Sequence, residues 1–201
     1  MRLLFAPTSP FARKVRVAAI ELGLGARIAA VPVDPWSDAG LRALNPLAKV
    51  PVLLREDGRA IAESAVICEY LDHLAGGRLF PPAGEPRWQA LALQGVADGM
   101  STAAGRLFAD ERRPDNERSS AVMRRQAAAI EAGLDRLAAE AAALSPVLAD
   151  IGAVAAACAL GYLDFRWPER DWRHGRDGLA RWAAVVAARP SMAATRHALP
   201  G

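Results

Sequence analysis

Residues 80–86 read Phe-Pro-Pro-Ala-Gly-Glu-Pro. Proline lacks the N–H that a helix or a sheet ladder needs, so no regular element runs through this stretch. The chain must fold as two segments, one on each side of it. The two sides differ in kind. Before the break, short apolar runs alternate with one-faced helical spacing; after it, only helical spacing is found. A length of 201 residues allows one large domain or two small ones. The break favours two, over residues 1–80 and 87–201 with a linker at 81–86.

In the first part, Leu3-Leu4-Phe5 reads as a buried strand. Ser9 then caps a helix with Pro10 at its first position, the arrangement helices prefer. Phe11, Val15, Ala18, Ala19 and Leu22 form its apolar stripe, and Gly23 ends it. Residues 28–33 read as a second strand, parallel to the first through a right-handed β-α-β connection. A turn-rich stretch with a short helix covers 34–44. Val52–Leu54 and Ala60–Ala62 flank the hairpin turn Glu56-Asp57-Gly58-Arg59, and a helix runs from Ser64 to Leu74. The order β-α-β-α-β-β-α gives a thioredoxin-like α/β layer structure. In the second part, residues 87–113, 117–144, 146–164 and 178–188 read as helices of an all-α bundle.

Within the first part, residues 45–52 read Asn-Pro-Leu-Ala-Lys-Val-Pro-Val, and Glu63-Ser64 comes one hairpin later. Pro51 opens a strand, where its missing N–H is harmless. Val50 just before it keeps free backbone groups, beside a bond for which cis costs only about 0.5–1 kcal/mol. A residue so placed can pair with the backbone of a bound peptide as if with another strand. Ser64 opens a helix whose N-terminus favours a carboxylate.

The run N-P-x-x-K-V-P-V, then E-S, resembles the glutathione-binding half of the glutathione S-transferase superfamily. Thr8-Ser9-Pro10-Phe11-Ala12-Arg13-Lys14 is similar to the start of its first helix. The resemblance is strong over residues 1–82 and looser over 83–201. It implies that Ser64 and its N–H hold the γ-glutamyl carboxylate, and that Glu63 pairs with the γ-glutamyl ammonium. Val50, beside Pro51, would pair its backbone with the cysteinyl unit. Lys49 would neutralise the glycyl carboxylate, against the plainer reading of a loop lysine. Ser9 read by itself is a helix cap; the resemblance makes it the catalytic hydroxyl that donates to the glutathione thiolate, with Thr8 the competing hydroxyl. A free thiol of pKa ~8.5 is a few per cent ionised at neutral pH, and a drop of about two units stabilises the anion by roughly 2.7 kcal/mol.

Two positions depart from the family. Position 48 is usually glycine and here is Ala48, which would be strained at positive φ and would reshape the loop. The second domain's core helix usually opens on a Ser/Thr-x-x-Asp capping box. Here Asp150 is present, but the cap position holds Val147, so half the box survives.

The electrophile pocket implied by the resemblance lies between the domains. Its candidates are Phe11, Ser101, Gly105, Phe108, Trp167 and Trp172, although an aromatic stripe is more often core than ligand wall. Asp98, mid-helix in apolar surroundings, reaches either an interface or a bundle partner. The implied activity is nucleophilic attack of bound glutathione on a small apolar electrophile, in detoxification. Glutathione is a cosubstrate, and no metal or prosthetic group is required. The family is usually dimeric, so a homodimer is expected.

Composition narrows the rivals. The chain is 52% hydrophobic and 23% charged, as globular proteins are, and its net charge of +3 is small and interspersed. No nucleic-acid groove is indicated. Arg112, Arg113, Arg118, Arg124 and Arg125 read as a solvated helix face. Cys68 and Cys158 stand singly in apolar helical patterns, as buried thiols of a reducing cytoplasm do. The N-terminal apolar run is too short for a signal peptide, and residues 151–163 are too short to cross a bilayer. The three histidines lack metal-ligand spacing. Two rivals remain: a noncatalytic binding or scaffold protein of the same fold, and a glutathione-dependent reductase or peroxidase. Disulfide or dehydroascorbate reduction wants a cysteine at position 9.

Overall fold

The structure is a computed structural model, and residues 1–199 are described. The first part holds strands β1 (Arg2–Phe5), β2 (Ala29–Pro32), β3 (Val52–Leu54) and β4 (Ala60–Ala62), with helices α1 (Pro10–Glu21), α2 (Leu41–Leu44) and α3 (Ser64–Leu74). The sheet order is β2-β1-β3-β4, with β1 parallel to β2 and β3 antiparallel to both β1 and β4. Strand alternation decides what each face packs against. Leu3, Phe5 and Leu53 join Val15, Ala18, Ile67 and Leu71 of α1 and α3 in the main core. Leu4 and Val52 point the other way and meet Leu41 of α2. The mixed sheet is thus covered on both faces.

The second part is all helix: α4 (Glu85–Asp110), α5 (Ser120–Ala139), α6 (Ile151–Arg166), α7 (Asp177–Ala187) and α8 (Pro190–Ala193). Helix α6 is the axis of this part; every residue from Ile151 to Leu160 is buried. A helix apolar all round is a core helix. It lies so close to α4 that a Cβ on Gly152 would stand 2.8 Å from the Ala90 carbonyl oxygen. No helix among the described residues is long and apolar enough to cross a membrane.

Two expectations need correction. The helix expected over 146–164 begins at Ile151, because Leu148 takes φ 52° and breaks the turn. Its N-cap is therefore not Val147 but Asp150, whose carboxylate accepts from the Ala153 N–H at 3.0 Å. The helix expected over 117–144 is shorter at both ends, starting after the Ser119 cap, whose hydroxyl accepts from the Val122 N–H.

The proline break is held by one side chain. Asp72 of α3 is buried, and its carboxylate accepts from the backbone N–H groups of Arg78 (2.7 Å), Leu79 (2.6 Å) and Phe80 (3.1 Å). The Leu79 carbonyl in turn accepts from the Ile151 N–H at 2.9 Å, tying the break to the start of α6.

Candidate functional site

A cleft of about 870 Å³ opens where the two parts meet. From the first part it is walled by Pro10 and Phe11, the loop Leu47–Pro51, and Glu63–Ala65 at the start of α3. Trp36 and Arg42 stand over it. From the second part come Asp98, Ser101, Thr102, Gly105 and Arg106 on one face of α4, and Tyr162 of α6.

Asn45 shapes the loop. It is buried, its Oδ1 accepts from the Leu47 N–H at 3.1 Å, and its Nδ2 donates to the Lys49 carbonyl at 2.9 Å. Its own carbonyl accepts from the Ala48 N–H at 2.8 Å. The loop thus clasped puts Ala48 at φ 50°. Alanine does occupy the left-handed conformation here, at a cost of about 1–2 kcal/mol, and the loop keeps its closed shape. The Val50–Pro51 peptide bond is cis. Val50 lies outside β3, and its N–H and C=O make no backbone hydrogen bond among the described residues.

Glu63 is a second strained position, at φ 68° directly before α3. Such outliers cost of order 1–3 kcal/mol and cluster at functional sites. No side chain caps α3. The first-turn N–H groups, which a helix cannot satisfy internally, are left for whatever enters the cleft. Ser64 is buried there, while Glu63 and Lys49 are exposed.

Ser9 caps α1: its hydroxyl oxygen accepts from the Ala12 N–H at 3.2 Å. Its O–H proton finds no acceptor among the described residues. The cleft wall is formed by Pro10 and Phe11, while Ser9 and Thr8 are not part of it.

Asp98 reaches across the two parts. Lys14 of α1, 1% exposed, places its ammonium 2.5 and 2.7 Å from the two carboxylate oxygens. Burial raises the Asp98 carboxyl above its ordinary value; Lys14 opposes that shift without cancelling it, and nearby Glu63 adds to it. This part-buried pair ties α1 to α4 beside the cleft. Both thiols are inert by burial, which pushes Cys68 up to about 12 and Cys158 up to about 11.

Nine of the residues singled out in the sequence therefore share one cleft: Phe11, Lys49, Val50, Pro51, Glu63, Ser64, Asp98, Ser101 and Gly105. Ser9 and Thr8 lie beside its wall rather than in it, and three expected aromatics lie elsewhere. Phe108 is sandwiched between the guanidinium groups of Arg112 and Arg166, at 3.3 and 3.9 Å from the ring centre. Trp167 packs edge-on against Phe108, and its indole N–H donates to Glu111 at 2.8 Å. Trp172 is buried, donates to Asp164 at 2.7 Å, and with Trp167 lines a separate hollow beside Leu107 and Leu134. The aromatic spacing signalled core and surface stacking. Sequence reasoning did not single out Trp36, Arg42, Arg106 or Tyr162. For Arg106 a signal existed: residues 98, 101, 102, 105 and 106 recur at helical spacing on one face. Tyr162 joins only through the packing of the helical part, and Trp36, almost fully exposed, only through the course of its loop. A smaller cavity of about 370 Å³ beside Arg13, Phe165 and His197 contains none of the anticipated residues. Among the described residues no group of three or more His, Cys, Asp or Glu is placed to hold a metal ion.

A peptide-pairing edge beside a cis-proline, an uncapped helix N-terminus and an interdomain cleft are the marks of a thioredoxin-like ligand domain with a helical partner. Family models agree: the glutathione S-transferase N-terminal domain matches residues 8–74 and the C-terminal domain matches residues 120–184. The chain is 30% identical over 199 residues to the uncharacterized GST-like protein YibF of Escherichia coli K12, covering 97% of this chain and 98% of that protein. A glutathione transferase family member from Pseudomonas fluorescens Pf-5, solved with bound glutathione, is 37% identical. It superposes with a TM-score of 0.93 over 98% of this chain and 99% of its own. A structure described in the same terms, with bound S-(propanoic acid)-glutathione, is 36% identical with a TM-score of 0.89, over 99% of this chain and 100% of its own. This chain belongs to the glutathione S-transferase family.

Proposed function

We propose that the protein is a glutathione transferase that binds glutathione against Val50 and presents its thiolate to an electrophile in the cleft. One observation carries the reading: Lys49, the free edge at Val50, Glu63 and the uncapped start of α3 converge on one cleft. Glutathione is a tripeptide with two carboxylates and one ammonium. Lys49 faces the glycyl carboxylate, the α3 N-terminus with Ser64 the γ-glutamyl carboxylate, and Glu63 the ammonium. Ser9 stabilises the thiolate with the O–H proton that its capping role leaves unused. Glutathione is consumed as a cosubstrate, with no metal or prosthetic group. The relatives solved with glutathione and with S-(propanoic acid)-glutathione support the choice of tripeptide. A cytoplasmic location suits a protein that draws on a reduced thiol pool and keeps both of its thiols free.

The test is thermal unfolding with glutathione. At a hundredfold excess over its dissociation constant it should stabilise the fold by about 2.7 kcal/mol. Glu63→Ala and Ser64→Ala should each shrink that shift. A melting curve unmoved by millimolar glutathione would show the site to be misread. Binding without turnover of an aryl halide would instead place the protein with noncatalytic members of the fold.

The functional unit we propose is a homodimer. Val66 of α3 and Trp88 of α4 are 54% and 64% exposed, more apolar surface than these helices need to leave in water. Sedimentation at micromolar concentration should give twice the chain mass; a monomer with full glutathione affinity would remove the interface and leave the site standing.

A further inference from the structure

The smaller cavity, of about 370 Å³, lies where α1, α6, α7 and the segment after α8 meet. Phe11 of α1 walls the cleft, whereas Arg13, two residues on and so on another face of the helix, lines this cavity. Its walls are largely small apolar side chains, among them Ala157 of α6 and Ala184 of α7. Its charged groups are Arg13, Arg173, Arg196 and one acid, Asp164.

Arg13 is 8% exposed, and arginine is almost never so buried without a carboxylate partner. Arg13 has none among the described residues. Its one side-chain hydrogen bond there runs from Nη2 to the Met192 carbonyl at 3.2 Å. Its Nε is closed off from solvent and has no acceptor. The acid of the cavity is already occupied. Asp164 Oδ1 accepts from the Trp172 indole N–H at 2.7 Å and from Arg173 Nη1 at 2.8 Å, and Oδ2 accepts from Arg173 Nη2 at 2.8 Å. Helix α6 gives way to the unpaired guanidinium: a Cβ on Gly161 would collide with Nη1. Glycine weakens a helix interior, and here it makes room for a buried charge.

Arg196, on the segment after α8, is exposed and makes no ion pair or hydrogen bond among the described residues. Burial lowers the Arg13 pKa first, and the like charge of Arg196 lowers it further. His197 adds no charge, because burial and Arg13 hold its imidazole down to about 3. With Arg173 matched by Asp164, two positive charges of the cavity are left without a counter-charge. Taking a charge out of water is costly unless an opposite charge meets it.

We propose that this cavity binds a small organic dicarboxylate of about the size of succinate, one carboxylate on Arg13 and the other on Arg196. The cations stand on separate elements, which suits two separated carboxylates better than one compact phosphate. The alanine walls suit the methylenes between them. A guanidinium offers a carboxylate two parallel donors, and Arg13 has donors to spare. The bound dianion would tie α1 to the C-terminal segment. This site is separate from the cleft and does not rest on the transferase reading.

Calorimetric titration with succinate tests it, at fixed ionic strength and with glutathione saturating the cleft. Succinate should bind once per chain and add a thermal shift to that of glutathione. Butyrate, as long as succinate but with one charge, should bind about tenfold more weakly or worse, and inorganic phosphate likewise. Arg196→Gln should weaken succinate by about tenfold or more and leave the glutathione shift unchanged. Gly161→Ala, which displaces the end of Arg13, should weaken succinate as well. Arg13→Met should abolish succinate binding; if that variant fails to fold, the other two still decide. No binding of millimolar succinate, or binding that Arg196→Gln and Gly161→Ala leave untouched, would overturn the proposal. So would displacement of succinate by glutathione, which would put it in the cleft. Phosphate or butyrate binding as tightly as succinate would overturn the dicarboxylate assignment. A protein that ignores glutathione yet takes up succinate through Arg196 would lose the transferase reading and keep this site.

Discussion

At the scale of the residue, Ser9 performs a structural task with one part of its hydroxyl and has the other free. The oxygen accepts from the Ala12 N–H, and the proton has no partner among the described residues. Ser9→Ala removes both. The lost cap should cost about 1 kcal/mol of stability. Glutathione affinity should stay within a few-fold, since the proposed contacts to the tripeptide lie on the loop and α3. The pKa of the bound thiol should rise, and conjugation should slow by roughly ten- to a hundredfold, the worth of one charge-assisted hydrogen bond. Ultraviolet titration of the bound thiolate, run beside aryl halide turnover, reads both quantities. If stability falls while neither quantity moves, Ser9 is a cap alone and the donor is Thr8 or a backbone N–H. The places of Lys49, Glu63 and Ser64 at the cleft, and of Ser9 as the cap of α1, were legible in the sequence because each lies in a short motif whose local geometry positions it. Tyr162 was not, because its hydroxyl meets the cleft only once α6 packs on α4. Phe108, Trp167 and Trp172 misled for the matching reason: aromatic rings pack on any apolar or cationic surface, and here Arg112 and Arg166 cover Phe108, Arg170 covers Trp167 and Arg173 covers Trp172.

At the scale of the element, the proline-rich break depends on Asp72. Prolines prevent regular structure in a segment, but they do not fix its course. Three consecutive backbone N–H groups, from Arg78 to Phe80, converge on the buried Asp72 carboxylate. Asp72→Ala should leave those groups unsatisfied and cost roughly 3 kcal/mol or more. Asp72→Asn, which keeps one good acceptor, should cost less. Urea midpoints of the two variants give the comparison, and equal, small shifts would mean that water replaces the carboxylate without loss. The break was plain in the sequence because proline density is a local property. Its anchor was hidden because Asp72 sits in the last turn of a helix, where an acidic residue reads as solvated surface. The start of α6 was misplaced by the same limit. A capping box is a four-residue pattern, yet the left-handed Leu148 and the Ile151 N–H bonded to the Leu79 carbonyl move the true cap to Asp150.

At the scale of the whole molecule, the C-terminal segment straps the helical part to the first part, and His197 is its buckle. The ring lies at 5.1 Å against Phe165 and at 5.5 Å from Tyr162, and Nδ1 is 3.3 Å from the Pro7 carbonyl oxygen. That carbonyl can only accept, so Nδ1 carries the proton of a neutral imidazole. Burial, then the positive charge of Arg13, pushes the imidazole down to about 3 against an upward pull from the Pro7 carbonyl, with Arg166 and Arg16 adding smaller downward contributions. In the unfolded chain it titrates near ~6.5. Below that pH the unfolded chain binds a proton that the folded protein refuses, so stability must fall as pH falls. The slope is at most about 1.4 kcal/mol per pH unit, limited by the free energy needed to detach the strap and let the ring ionise in water. The useful window lies between about pH 6.5 and 5, before most carboxylates titrate. His197→Gln has no such proton to refuse, so its stability should be nearly flat there while that of the wild type declines. Thermal unfolding of both proteins across that window makes the comparison, and hydrogen exchange at the Ala198 N–H, which donates to the Pro7 carbonyl at 3.4 Å, separates strap release from global unfolding. Parallel stability profiles with unchanged Ala198 protection would mean that the ring ionises in place, and that the positive surroundings of His197 are weaker than three neighbouring guanidinium groups imply.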